Sequence, residues 1–161
     1  MTSETPTVIP MLAYENPAAA LDWLAQAFGF VERTRITMPD GSIGHAEMAV
    51  GDNGLIMLAT PSPHYRSPAT HRRECELAAK WLEVPYVVDG VLVNVDDVEA
   101  HRRRAEEAGA AMLSGIEDAP HGRLYRAEDL EGHRWMFMER KPTGGQTDWV
   151  PPGQPYPKLD R

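Results

Sequence analysis

The sequence predicts an α+β fold in which one strand–helix–three-strand unit occurs twice. Two helical patterns each end at a glycine, and these glycines, Gly29 and Gly109, lie 80 positions apart. A short apolar run precedes each helix, and three strand-like runs separated by turns follow it. The order βαβββ is therefore present twice, and the repeat defines two modules.

The first module is predicted over residues 7–60. Asn16 followed by Pro17 is typical of a helix start, because the asparagine side chain caps free N–H groups and proline suits the first helical position. Apolar residues at helical spacing continue as far as Gly29. The predicted strands cover residues 8–14, 31–38, 43–50 and 55–59.

The second module is predicted over residues 90–140. Asp96 with Glu99 three positions later forms a capping box, and the helix that follows ends at Gly109. The predicted strands cover residues 91–95, 112–116, 123–127 and 134–139. This module repeats the element order of the first.

Two segments lie outside the repeat. Residues 61–89 form a long helical connection, in which an amphipathic helix is predicted over residues 70–83, where it would cover one end of a cleft. Residues 141–161 are rich in proline and glycine, which predicts an extended tail. Trp149 and Tyr156 indicate that this tail docks, and disorder is the alternative.

Composition excludes several classes of protein. Asp and Glu number 24 against 16 Lys and Arg, a net charge of −8, which is the wrong sign for a nucleic-acid partner. No apolar run approaches the roughly 18 residues of a membrane helix, and a signal-peptide pattern is absent. The single cysteine, Cys75, excludes an internal disulfide. We expect a soluble, cytoplasmic protein.

Two phrases of the sequence carry a family resemblance. VIPMLAYENPAAALDWLAQAFGF opens the first module, YRAEDLEGHRWMFMER closes the second, and residues 129–133 stand where the family has a D-P-x-G-x turn. Over residues 7–140 the chain resembles the vicinal oxygen chelate superfamily, which includes glyoxalase I, extradiol dioxygenases, and fosfomycin- and bleomycin-resistance proteins. The resemblance implies that the two βαβββ modules form a curved-sheet cup around a ligand, in a homodimer.

Metal-dependent members of that superfamily take His, Glu or Gln ligands from the first and last strands of each module. Aligning the helix caps and the glycine turns places four residues at or near these positions: Ile9, Leu58, Gly90 and Met136. None has a nitrogen, oxygen or thiolate donor for a divalent ion. We therefore predict no metal and no cofactor. A register error of one residue is the alternative, although the neighbours of Ile9, Leu58 and Met136 are also apolar.

Strand alternation predicts which residues line the cup. If Met136 faces inward, so does Arg134, and Met11 joins Ile9. Tyr125 and Arg126 are adjacent, so only one of them faces the cavity, to stack on a ligand or to bind an anionic group. The complete predicted ligand-binding set is Ile9, Met11, Leu58, Leu92, Tyr125, Arg126, Arg134 and Met136. This methionine-rich lining suits an apolar or aromatic molecule, and a collapsed core is the alternative.

His45 and Glu47 are the candidate catalytic residues. They lie two positions apart on a predicted strand and so share one face, where the carboxylate could orient the imidazole for proton transfer. A solvent-facing ion pair is the alternative.

Other polar residues are assigned to the surface. His101 lies on an arginine-rich helix face, which favours solvent exposure. The acidic residues Glu128, Asp129 and Glu131 are interpreted as a solvated turn.

Three functional hypotheses follow. The first is a glyoxalase-like homodimer that binds a small apolar or aromatic molecule without a metal, as in sequestration of an antibiotic or toxin. The second is an enzyme, either a lyase or isomerase using His45, Glu47 or Arg126, or a metal-dependent member such as a dioxygenase if the strand register is wrong. The third is a partner-binding module with a collapsed cup.

Overall fold

The computed structural model describes residues 6–83 and 90–142, and within them the predicted α+β class is confirmed. The first module comprises β1 (Met11–Ala13), α1 (Pro17–Phe28), β2 (Val31–Thr37), β3 (Ile43–Val50) and β4 (Gly54–Ala59). The connection contains α2 (Pro68–Glu74) and α3 (Glu76–Leu82). The second module comprises β5 (Gly90–Asn94), α4 (Val98–Glu107), β6 (Ala111–Met112), β7 (Glu117–Ala119), β8 (Gly122–Glu128) and β9 (Arg134–Arg140).

Each module builds its own sheet. Sheet 1 has the strand order β1-β4-β3-β2, and sheet 2 has the order β5-β9-β8-β6 with β7 paired to β8. The first strand of each module pairs in parallel with the last one, β1 with β4 and β5 with β9, whereas the other pairs are antiparallel. The two modules thus share one topology, as the sequence repeat predicts.

The ends of α1 lie where the capping residues predict them, whereas the start of α4 is shifted. The Asn16 side chain accepts a hydrogen bond from the N–H of Ala19 at 3.1 Å, and Gly29 ends α1 in the left-handed conformation with φ of 75°. In the second module the cap lies one residue later than predicted. Asp97, not Asp96, accepts from the N–H of Ala100 at 2.9 Å.

The helical connection differs from its prediction. In place of one helix over residues 70–83 there are two short helices, separated at Cys75, whose backbone is extended. Ser67 caps the first of them by accepting from the N–H of Thr70. The strand predicted over residues 112–116 is also shorter, and the small strand β7 follows it unpredicted.

The helix-covered faces of the two sheets meet in one core. Phe28, at the end of α1, lies with its ring centroid 4.7 Å from that of Phe137 and 5.5 Å from that of Trp135, both on β9. Phe30 also packs on Trp135, at 5.3 Å. Because α1 and α4 contact each other inside this core, the opposite faces of both sheets point away from it.

The prediction of an extended, docked tail concerns residues outside the described ranges. These residues begin after Pro142 and include Trp149 and Tyr156. Among the helices that the structure describes, none has the length and apolar character needed to cross a membrane.

Candidate functional site on the helix-free sheet faces

The face of sheet 1 that lacks a helix carries both polar and apolar groups. Met57 on β4 lies opposite Met11 on one side and Glu47 on the other, so these three side chains share that face. His45 joins them by strand alternation, next to Ile36. The residues between them, including Ala46 and Leu58, are fully buried in the core.

The corresponding face of sheet 2 carries a similar row. Met136 on β9 lies opposite Leu92 on β5 and opposite Arg126 on β8. Leu92 is 45% exposed, whereas Met136 and Arg126 are half-buried. Met136, Leu92, Arg126 and Met11 therefore lie on helix-free faces, and their contact with a ligand remains a prediction. Ile9 is half-buried in the segment just before β1.

The structure corrects the register of one predicted residue. The N–H of Tyr14 donates to the carbonyl of Ala59 at 3.0 Å, and the N–H of Val95 donates to that of Met138 at 2.9 Å. These two bonds occupy equivalent places in the two modules. Met57 is therefore the repeat equivalent of Met136, and the prediction for Leu58 was wrong because Leu58 points into the core with no exposed surface.

Tyr125 is also misplaced in the ligand-binding set. It is fully buried on the helix-covered face, and its hydroxyl donates to Nδ1 of His101 at 2.7 Å. Nε2 of His101 in turn donates to the carbonyl of Phe28 at 3.2 Å. Burial lowers the pKa of His101, which favours this neutral form. His101 is thus a core residue and was wrongly assigned to the surface.

The two candidate arginines have carboxylate partners. Arg126 forms an ion pair with Glu117 at 2.8 Å. Arg134 is 5% exposed, forms a salt bridge with Glu128 at 3.1 Å, and donates to the carbonyl of Leu82. Because Leu82 belongs to α3, the helical connection covers the Arg134 end of this face of sheet 2, so the face is not free of helices along its whole length. Arg134 is consequently part of the buried contact between the helical connection and sheet 2. Its side chain has almost no surface on which the predicted contact with a ligand could form.

His45 and Glu47 form a pair on the helix-free face of sheet 1. Nε2 of His45 donates to Oε1 of Glu47 at 3.0 Å, and the two side chains are 28% and 29% exposed. Glu47 lies beside Met57, and His45 beside Ile36. The pair therefore places a carboxylate-oriented imidazole on a largely apolar surface. A catalytic role for these two residues remains a prediction.

The closing turn was wrongly interpreted as solvated. Asp129 is 6% exposed and accepts hydrogen bonds from Tyr14 Oη at 2.6 Å and Trp135 Nε1 at 3.0 Å. It also accepts from the backbone N–H groups of Glu131 and His133, both at 3.0 Å. Burial, together with the nearby Asp129 carboxylate, raises the pKa of Tyr14 well above its usual value.

The neighbouring acids bind other parts of the chain. Glu131 accepts from the N–H groups of Glu15 and Asn16, immediately before α1. Glu128 accepts two bonds from Arg72 on α2. The turn therefore joins the second module to the first and to the helical connection. The signal available in sequence was Asp129 three residues before Gly132, a pattern typical of an aspartate that binds the backbone of its own turn.

The positions that hold metal in metal-dependent members of the resembled superfamily carry no metal-binding side chains in this chain. In the corrected register there are four such positions. Two of them are Met57 on β4 and Met136 on β9. The other two are Ile9 or Met11 at the first strand of the first module, and Gly90 or Leu92 on the first strand of the second module. None supplies nitrogen, oxygen or thiolate to a divalent ion. Within residues 6–83 and 90–142, no group of three or more His, Cys, Asp or Glu side chains could hold a metal ion. The residues present do not fit such a centre.

The fold and the arrangement of its modules agree with the comparison to protein families. The model of the Glyoxalase/Bleomycin resistance protein/Dioxygenase superfamily matches residues 8–137, and the chain belongs to this superfamily.

Individual relatives were found in sequence and in structure. An uncharacterized protein of Mycobacterium bovis is 28% identical over 133 residues, which are 82% of each chain. TioX from Micromonospora sp. ML1 is similar in structure with a TM-score of 0.62, at 32% identity over 84% of this chain and 99% of TioX. TnmS3 from Streptomyces sp. CB03234, an antibiotic binding protein, shares the fold with a TM-score of 0.56 at 18% identity, covering 84% and 98% of the two chains.

Proposed function

We propose that this protein binds a small apolar or aromatic molecule on its helix-free sheet faces and does so without a metal. The observation that carries the proposal is the occupancy of the repeat-equivalent positions Met11, Met57, Leu92 and Met136 by apolar side chains. Methionine side chains adapt to ligands of varied shape and make favourable contacts with aromatic rings. The fold shared with TnmS3, itself an antibiotic binding protein, supports sequestration of such a compound.

The complete site is proposed to require a second copy of the chain. The helix-free faces point away from the shared core, so the two sheets of one chain do not enclose a ligand between them. Apolar side chains on these faces are strongly exposed, with Met11 at 78% and Ile36 at 52%. A two-fold homodimer would place sheet 1 of one copy against sheet 2 of the other and cover this surface.

Two polar pairs would orient the ligand. His45 with Glu47 lies on sheet 1, and Arg126 with Glu117 lies on sheet 2. Each pair combines a nitrogen donor with a carboxylate acceptor within an apolar surface, the combination usual in small-molecule sites. The net charge of −8 adds a general attraction for cationic compounds.

A second candidate function is proton-transfer catalysis of the lyase or isomerase kind. The 3.0 Å bond between His45 and Glu47 favours it, because a carboxylate that accepts from Nε2 fixes the orientation of the imidazole and leaves Nδ1 as the proton acceptor. The two functions differ in outcome. A bound compound recovered unchanged after incubation indicates sequestration, whereas product formation that is lost in His45→Gln indicates catalysis.

A thermal-shift screen of planar aromatic compounds, with and without a chelator, tests metal-free binding. We expect a ligand at 100 times its dissociation constant to stabilise the protein by about 2.7 kcal/mol, equally in the presence of EDTA. Elemental analysis of protein purified without chelator should give substoichiometric zinc, nickel, manganese and iron. The proposal would be contradicted if the protein held one equivalent of metal per chain and needed that metal to bind its ligand. It would also be contradicted if such a metal gave the protein glyoxalase or dioxygenase activity.

Light scattering tests the dimer. At micromolar concentration we expect twice the chain mass of 17.9 kDa. Met11→Glu should shift the equilibrium towards monomer, since it places a charge on the apolar surface proposed to be covered. Met38→Glu is the matched control, because Met38 is also an exposed methionine but follows β2 outside both rows. A mass near 17.9 kDa for the unaltered protein would refute the dimer.

A further inference from the structure

A groove with a volume of about 850 Å³ runs between the two modules and meets the helix-free face of sheet 2 at Leu92. Its apolar lining comes from the segment before β1, from the link between α1 and β2, from β4 and from β5. The residues that matter here are Val8, Pro10, Phe30, Ile56, Val91 and Val93. Phe30, Ile56 and Val93 belong to the shared core, so the groove exposes one margin of that core. Val8, at 80% exposure, stands at its rim.

Two strand edges border this groove. Within residues 6–83 and 90–142, β5 is the edge strand of sheet 2. On the other side, β1 pairs with β4 only from Met57 to Ala59, so residues 54–56 extend beyond it in the described part of the chain. Strand edges with free N–H and C=O groups accept extended segments. The shape and the edges together suit an extended peptide.

The described part of the chain ends two residues after a residue that lines the groove. Arg140, the last residue of β9, lines it and donates through Nε to Oδ1 of Asn94 on β5 at 2.7 Å. Residues 143–161 follow, which is 19 residues. In a polyproline conformation this length reaches about 60 Å, several times the roughly 17–20 Å of an ordinary strand. The length of residues 143–161 is therefore sufficient for contact with the groove.

The chemistry of the tail fits that of the groove. Its central part contains Trp149 and Tyr156 as aromatic anchors, together with the prolines Pro151, Pro152, Pro155 and Pro157. Proline-rich segments lose little conformational entropy on docking and bind apolar grooves. Lys158 follows them, and the groove offers the carboxylates of Asp52 and Asp96.

From these observations we infer that residues 149–157 bind the inter-module groove of their own chain and strap the two modules together. The linker between Pro142 and Trp149 is short, so the effective concentration of the tail at the groove is on the order of millimolar. A segment with an intrinsic dissociation constant of about 0.1 mM would then be docked about ten times more often than not.

Hydrogen exchange on the full chain tests this inference. The backbone amides of Gly90–Asn94 and of residues 54–56 should exchange about tenfold faster in the double variant Trp149→Ala/Tyr156→Ala. Gln146→Ala/Thr147→Ala, a double variant in the same tail but outside residues 149–157, should leave exchange unchanged. Val8→Asp should reproduce the effect of the double variant from the groove side, whereas Met38→Asp, at another exposed apolar position, should not.

Two results would overturn the inference. The first is equal exchange in the anchor variants and their controls. The second is protection that disappears on dilution, because a docked segment of the same chain is independent of concentration whereas a second copy in the groove is not. Protection that is unchanged by dilution and lost in both Val8→Asp and the double variant supports the strap.

Discussion

Replacing Asp129 with alanine is expected to destabilise the fold by about 3–5 kcal/mol, because it leaves several buried donors without an acceptor and each costs about 1–3 kcal/mol. Asp129 accepts from Tyr14 Oη, Trp135 Nε1 and two backbone N–H groups of its own turn. The bond to Tyr14 also links the two modules across 115 positions of sequence. Urea unfolding followed by circular dichroism measures the change.

Asp40→Ala is the matched control for this experiment. Asp40 is also a turn aspartate, and its Oδ1 accepts from the N–H of Ser42 at 3.0 Å, but the bond lies at the surface. Its loss should lower stability far less than the loss of Asp129. If the two variants unfold at the same urea concentration, the closing turn is solvated after all and the joint between the modules lies elsewhere.

Met136→Glu is expected to weaken binding of an aromatic ligand by at least about 2 kcal/mol, roughly 30-fold. The new carboxylate would lie in the row of Leu92 and Arg126 on the helix-free face of sheet 2, where the ligand is proposed to exclude water. Stability of the free chain should change less, since Met136 is half-buried without ligand. Isothermal titration calorimetry with a compound from the thermal-shift screen provides the measurement.

The pH dependence of the variant gives an independent check. An apolar environment raises the pKa of a carboxyl group, so lowering the pH neutralises the introduced glutamate and should restore part of the affinity. Met38→Glu controls for the added charge. If Met136→Glu changes neither affinity nor melting temperature, Met136 faces solvent in the assembled protein, and the argument from the methionine row no longer applies.

Much of the fold could be predicted because its signals are local. Asn16, Pro17 and Gly29 delimit α1 through interactions within one turn of helix, so a single sequence contains them. Alternation along β3 was equally informative. It placed His45 and Glu47 on one face, where their side chains lie 3.0 Å apart.

The register between the strands of the two modules could be determined only from the tertiary structure. From Asn16 to Asp97, the two helix caps, the repeat offset is 81 residues, but from Met57 to Met136 it is 79. The modules therefore differ by two residues between helix and last strand. Alignment on turn glycines could not detect this difference and selected Leu58 in place of Met57. Pairing between strands, which depends on distant residues, decided it.

What the sequence determined by itself was the element order, the repeat and the alternation of side chains, since these depend on residues close in the chain. What only the tertiary structure decided was the environment of the charged and polar groups. Asp129 and His101 both look like surface residues by composition. They are buried because their partners, Tyr14 at 115 positions and Phe28 at 73 positions, come from the other module. Burial of a polar group depends on whether distant parts of the chain satisfy its hydrogen bonds, and no local pattern contains that information.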